Sequence, residues 1–208
     1  EPFAASSIPL VTLGTFLLWF GWFVFNGFSQ LAMGTFDDVN AISKTAVNTH
    51  LAGAAGTVSG AALTRLIGGK TDIVMMLNGS LAGLVAITAE PLTPGPITAM
   101  IIGSIGAVIM YYGTKMLESY KIDDVVGAIP VHMFAGIFGT LVVPLTNADT
   151  SLGTQLIGVL SVWIFSFILS WIAFSTLKAT IGLRISKAAE KLGTDKAEVG
   201  VIAYSIRD

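Results

Sequence analysis

Leu18-Trp19-Phe20-Gly21-Trp22-Phe23-Val24-Phe25-Asn26-Gly27-Phe28-Ser29 lies inside an apolar stretch from Leu10 to Ala32, and no charged residue occurs from Ile8 to Thr35. A helix rises about 1.5 Å per residue, so this stretch can cross a hydrocarbon core of about 30 Å. A soluble core rarely needs such a run. Phe25 and Ser29 are four residues apart, which sets an aromatic ring and a hydroxyl one above the other on one face, with Trp22 a turn further back. Aromatic residues in membrane helices most often pack or sit at the interface, and serine most often holds helices together. On this stretch alone the packing reading outweighs a ligand site.

Composition points the same way. Of 208 residues, 53% are hydrophobic and 12% charged, against about 25% charged in soluble domains, and mean hydropathy is +0.79. The chain reads as an all-α integral membrane protein. Its net charge of -2 and the lack of a basic patch give no sign of nucleic acid. Without cysteine there are no disulfides, no haem-thiolate and no Cys-based zinc or iron-sulfur site. The 23 glycines suit close helix contact, hence tight bundling. Glu1 stands where an initiator Met would, with no basic segment ahead of the first apolar run. The chain therefore reads as processed, cut, or half of something.

Six spans follow in order, at about residues 8–33, 42–67, 73–89, 97–117, 125–145 and 152–177, forming a transmembrane region over 1–183 ahead of a polar tail at 184–208. Glu90-Pro91-Leu92-Thr93-Pro94-Gly95-Pro96 forbids continuation of the third helix. Asp123-Asp124 suits the start of the fifth, with carboxylates at the positive end of the helix dipole. Lys and Arg gather on alternate sides of this arrangement: Lys44 alone falls outside, while Arg65, Lys70, Lys115, Lys121, Lys178, Arg184, Lys187, Lys191, Lys196 and Arg207 fall on the other side. That asymmetry puts both ends of the chain in the cytoplasm, in a cell membrane. The stretch Ser186 to Lys196 could lie on the surface as an amphipathic helix.

Both histidines, His50 and His132, lie inside spans, where an ionisable residue is costly and a functional role is the default hypothesis. His132 is the sharper case. Pro130 frees a carbonyl one turn earlier, and Gly127 and Gly136 allow close approach on either side. A neutral imidazole at that depth both accepts and donates a hydrogen bond, which suits a narrow pore. The alternative is a histidine bonded across two helices, and for His50 that blander reading is preferred. Asn78-Gly79-Ser80, early in the third span, suits a helix break or an interhelical hydrogen bond. No phosphate-cradling loop, His-Glu-x-x-His or paired intramembrane acids occur, so neither an enzyme nor a metal or cofactor site is expected.

Four stretches in order resemble the ammonium transporter family (Amt/Mep/Rh), in its bacterial Amt branch. Gly21-Trp22-Phe23-Val24-Phe25-Asn26-Gly27-Phe28-Ser29 is similar to the family's Gly-Trp-Phe-Gly-Phe-Asn-x-Gly-Ser helix, departing at Val24 and Phe28. Leu77 to Ala89 is similar to its Asn-Gly-x-Leu-Ala-Gly-Leu-Val-x-Ile-Thr segment. Asp123-Asp124 with Val131-His132-x-x-x-Gly136-Ile137-x-Gly139 is similar to its Asp-Asp and Val-His-Gly-x-x-Gly motif, with Met133 in place of the usual Gly. Thr180 to Ser186 resembles the exit into the cytoplasmic tail.

The resemblance implies six transmembrane helices that make up the second inverted repeat plus the last helix of an eleven-helix fold, with the first half of the transporter absent here. It implies Phe25 as a pore gate, Ser29 as part of the external ammonium recruitment site, and His132 as one of two pore histidines. Asp123, Asp124 and Asn78 would be structural residues near the pore. Ammonium or ammonia would be the transported species, the lipid bilayer the surroundings, a homotrimer the assembly, and a PII-type signal protein a regulatory partner of the tail. The tail departs from the pattern that last route uses, having Glu198-Val199-Gly200-Val201 in place of His-Gly-Glu. Two other readings stay open. One is an ammonium sensor of the same fold that signals through its tail; the other is an assembly subunit without its own pore. A water channel is disfavoured by the lack of an Asn-Pro-Ala motif.

Overall fold

A computed structural model describes residues 5–203. Arg207, placed on the cytoplasmic side by its charge, lies outside the described residues, as do the first four positions. Helix α1 spans Ile8–Phe28, α2 Phe36–Gly68, α3 Ile73–Thr88 and α4 Pro96–Ser119. The next helix, α5, opens with a π-helical turn at Ile129–Phe134, runs as α-helix over Ala135–Val142 and closes in a 3₁₀ turn at Val143–Leu145. Helix α6 spans Leu152–Thr180. Among the described residues there is no strand.

Three helix boundaries differ from the sequence reading, each for a local reason. Helix α1 ends at Phe28 rather than near residue 33: Ser29 and Gln30 close on the carbonyls of Asn26 and Gly27, and Leu31 takes a left-handed φ of 60°. Helix α2 starts at Phe36 rather than near 42. Thr35 and Asp38 form a reciprocal capping box, in which the Thr35 hydroxyl accepts the Asp38 amide and the Asp38 carboxylate accepts the Thr35 amide. Asp37 and Asp38, which fall between the first two expected spans, are therefore in the first turn of a helix. The fifth helix starts at Ile129, not near 125, because Asp124 reaches forward to cap it and Gly127 takes a left-handed φ of 74°.

Helices α2, α3 and α4 pack by backbone approach. A β-carbon at Gly56 would collide with the Gly79 carbonyl, and one at Gly83 or Gly103 with the Ala52 carbonyl. Without large interfacial side chains the helix axes come close, and dispersion contacts replace the hydrophobic drive that hydrocarbon surroundings lack. Around this seam lie Leu84, Ile87, Met110 and Val131, all essentially fully buried. Helices α1 and α5 flank it.

The remainder, residues 157–203, forms a separate unit. The body of α6 is apolar and exposed along its length. Helices α1, α4 and α6 are each long and apolar enough to cross a membrane by length and composition. Helix α2 is longer but polar, and α3 and α5 are shorter. The tail makes a six-residue helix, Lys187–Leu192, capped by the Ser186 hydroxyl, and a separate π turn at Asp195–Val199. Gly193, with a φ of 93°, breaks the single surface helix expected over Ser186 to Lys196.

Candidate functional site

Helix α1 brings its aromatic face against α3 and α5. The Trp22 indole lies nearly parallel to the His132 imidazole, with ring centroids 6.4 Å apart and an interplanar angle of 14°. Its N–H donates to the Thr88 hydroxyl at 2.7 Å, and that hydroxyl donates in turn to the Leu84 carbonyl at 2.6 Å. An indole in apolar surroundings needs such an acceptor, and the bond fixes the ring's rotation. On the other side of Trp22, the Phe25 ring stands 6.2 Å away, tilted by 58°. Leu17, Leu18, Gly21, Trp22 and Phe25 line an open apolar hollow of about 270 Å³. Phe25 is 64% exposed, and His132 is exposed as well. Two aromatic rings and an imidazole thus form an open wall.

Ser29 lies just past the end of α1, exposed, and its hydroxyl donates to the Phe25 carbonyl at 3.1 Å. The hydrogen is committed but the oxygen lone pairs stay free, so this hydroxyl can still accept from an N–H donor.

The loop before His132 is held from two sides. Asp124 accepts the Ala128 amide at 2.9 Å and the Ile129 amide at 2.8 Å, one through each carboxylate oxygen. Asn78 donates to the Val126 carbonyl at 3.0 Å. A β-carbon on Gly127 would come within 2.7 Å of the Asn78 side-chain nitrogen and displace it, and the left-handed φ favours glycine there in any case. Asn78 ties α3 to that loop rather than to a neighbouring helix, and α3 runs unbroken through it, so the helix break and the helix-to-helix bond expected there are both corrected. Asp124 carries both caps, while Asp123 is exposed beside it.

His50 falls on a different face. Its ring lies 5.5 Å from Trp19 and 6.0 Å from Phe23, stacked on the latter at 28°. Trp19 and Phe23 flank Trp22 on the side away from Phe25, as helical periodicity requires, so the two histidines do not share a wall.

Several polar residues escaped the sequence reading. Thr88 is one. Asn26 donates to the Thr49 hydroxyl at 2.9 Å, and Asn48 bridges the carbonyls of Pro91 and Pro94 at 2.9 and 2.8 Å, tying α1 and the proline-rich turn to α2. The available signal was that an Asn in an apolar run must find partners. No group of three or more His, Asp or Glu suited to a metal occurs among the described residues.

Helices packed through glycine backbones, three of them long and apolar enough to cross a membrane, define an all-α integral membrane protein. The sequence matches the model of the Ammonium Transporter Family over residues 1–204, and the chain belongs to that family. It is 39% identical to Ammonium transporter Amt2 of Archaeoglobus fulgidus, over 95% of this chain and 46% of that protein. It is 32% identical to Ammonium transporter 1 of Dictyostelium discoideum, over 97% of this chain and 46% of that protein. Among solved structures it resembles one named Sensor Amt Protein, with a TM-score of 0.85 and 35% identity over 92% of this chain and 49% of that one. It also resembles Candida albicans Mep2, with a TM-score of 0.78 and 28% identity over 91% of this chain and 45% of that one. The chain spans about half the length of the curated relatives it matches, and its all-helical fold resembles half of an Amt/Mep transporter.

Proposed function

We propose that this chain supplies one wall of an ammonium-conducting pore and that the half of the relatives' length it does not span supplies the other. The observation that carries this reading is the Trp22–His132 stack beside Phe25 on an otherwise apolar, uncovered face. A bare cation is prohibitive in such surroundings, whereas a neutral imidazole can hold ammonia or relay a proton. Phe25 acts as the gate above the histidine. Ser29, at the mouth, accepts hydrogen bonds from ammonium, and the aromatic faces nearby attract its charge. Asp124 and Asn78 position His132 by fixing the loop that leads into it. The chain catalyses no covalent reaction in this reading.

The assembly that follows is a homotrimer in the cell membrane, with both ends of this chain cytoplasmic and the tail available to a neighbouring subunit or a PII-type protein. The test is the current across proteoliposomes after an ammonium pulse, with a potassium pulse as control. Saturable ammonium current that is lost in His132→Ala supports the pore; unchanged flux and selectivity in that variant overturns it. The likeness to the structure named Sensor Amt Protein favours a second reading, in which the same face binds ammonium and the tail reports it. Ammonium binding without current distinguishes that case.

A further inference from the structure

At the end of α2 away from Ser29, the ends of three helices border an open hollow of about 340 Å³. Thr64 from α2, Lys70 and Thr71 from the connecting turn, Asp72 from the start of α3, and Tyr111 and Lys115 from α4 all line it. Tyr111 and Lys115 are four residues apart, so the phenol and the ammonium share one helix face. Three features point to a ligand. Tyr111 is only 6% exposed, yet among the described residues its hydroxyl has no hydrogen-bond partner, and the residue lines the hollow. The hydroxyl is not one of the polar atoms closed off from solvent, so it keeps access to the hollow and is free to donate to a group that enters. Lys115 is held only by Glu118 at 3.0 Å in a pair whose side chains are 53% and 44% exposed, a contact weak enough to yield to a better anion. Lys70 forms no salt bridge among the described residues.

The one carboxylate in the hollow does not fill this role. One Asp72 oxygen accepts the Met75 amide at 3.0 Å as the cap of α3, and the Asp72 amide donates to the Thr64 hydroxyl at 3.2 Å. Asp72 is thereby held at the helix terminus and Glu118 lies beside Lys115, leaving Lys70, among the described residues, as the unpaired cation and the phenol as the uncommitted donor at the opening. Arg65 and Lys121 add positive charge at the same end of the bundle by sequence position. A hollow between membrane helices, on the side where cations gather, is where anionic headgroups dock.

We propose that this hollow binds a phosphate group, with Lys70 and Lys115 as counter-ions and the Tyr111 hydroxyl as the donor that selects it. It stands apart from the aromatic-histidine wall and does not depend on the pore reading. The phosphate can arrive on an anionic phospholipid or free in solution, and the test separates the two. Membrane-extracted protein, with its natural companions, is titrated with phosphatidylglycerol, phosphatidylcholine and inorganic phosphate, and bound lipid is counted by native mass spectrometry. Phosphatidylglycerol should bind Lys70→Gln/Lys115→Gln roughly twenty-five-fold more weakly than wild type, at about one factor of five per lysine, while phosphatidylcholine binds both alike. Tyr111→Phe, which keeps the packing, should weaken the same step with no loss of folded protein. Inorganic phosphate that displaces the lipid and raises the melting temperature of wild type but not of the double variant assigns the site to soluble phosphate. Equal phosphatidylglycerol binding by all three proteins, with no effect of inorganic phosphate, overturns the proposal.

Discussion

Trp22 and His132 lie 110 residues apart in sequence, yet their rings stack 6.4 Å apart at 14°, and the indole is held in that plane by its 2.7 Å bond to Thr88. The histidine's orientation therefore rests on a hydroxyl at the end of a third helix. Thr88→Val keeps the shape and removes the acceptor. The loss of one part-buried hydrogen bond should cost about 1 kcal/mol, and ammonium current should fall more than stability does. Melting temperature and current measured on the same preparation check this; a variant that melts earlier but conducts normally would show that Thr88 serves only the fold.

How far this arrangement was legible depends on the range of each interaction. The apolar lengths of α1, α4 and α6 are visible in sequence because hydrophobicity is a local property. His132 and the Phe25–Ser29 register were visible because intramembrane ionisable residues are rare and helical spacing is fixed. The start of α2 was hidden because Asp37 and Asp38 look like a loop until Thr35 is recognised as their cap. Thr88 was out of reach, since a bond spanning 66 residues leaves no periodic trace. The departures at Val24 and Met133 meet no visible cost: Val24 is 44% and Met133 38% exposed, and both positions have room for a side chain.

The glycine seam should divide substitutions sharply. Gly103→Ala drives a methyl group into the Ala52 carbonyl, a backbone atom that cannot swing away. The variant should lose about 1–3 kcal/mol, as overpacked cores do, and accumulate poorly in membranes. Gly14→Ala meets nothing within 4 Å and should be neutral or stabilising by up to about 1 kcal/mol through helix propensity. Thermal unfolding of the two variants in one detergent gives the comparison, and equal melting points would contradict the seam.

The capping box at the head of α2 carries a pH dependence with a definite sign. Hydrogen bonds from the Thr35 and Gln30 side chains hold the Asp38 carboxyl below its usual value. A depressed folded-state pKa means that the carboxylate's contribution is fully present above the ordinary aspartate range and is lost as pH falls through the folded value. Amide exchange in the first turn of α2 should accelerate on acidification in wild type. In Asp38→Asn it should be faster at neutral pH and respond less to acid. The tail has a parallel case: Asp195 is held low by the backbone amides of Ala203 and Lys196, so its turn should loosen over the same descent.

The two histidines give the most discriminating comparison, because they differ in what they face rather than in chemistry. His132 stacks on the ring that neighbours Phe25, whereas His50 packs against Trp19 and Phe23 on the opposite flank of α1. If the wall of Trp22, Phe25 and His132 borders the conduction path, His132→Ala abolishes ammonium current or lets potassium through, at nearly unchanged protein yield. His50→Ala removes aromatic packing without touching that wall, so it should lower the melting temperature by a few degrees while selectivity stays as in wild type. Phe25→Ala adds a third arm. If Phe25 is the gate proposed above, its removal with the histidine kept should raise leak without lowering ammonium throughput. Current ratios of ammonium to potassium across the three variants decide the matter, and a loss of selectivity in His50→Ala equal to that in His132→Ala would place the path on the wrong face of α1.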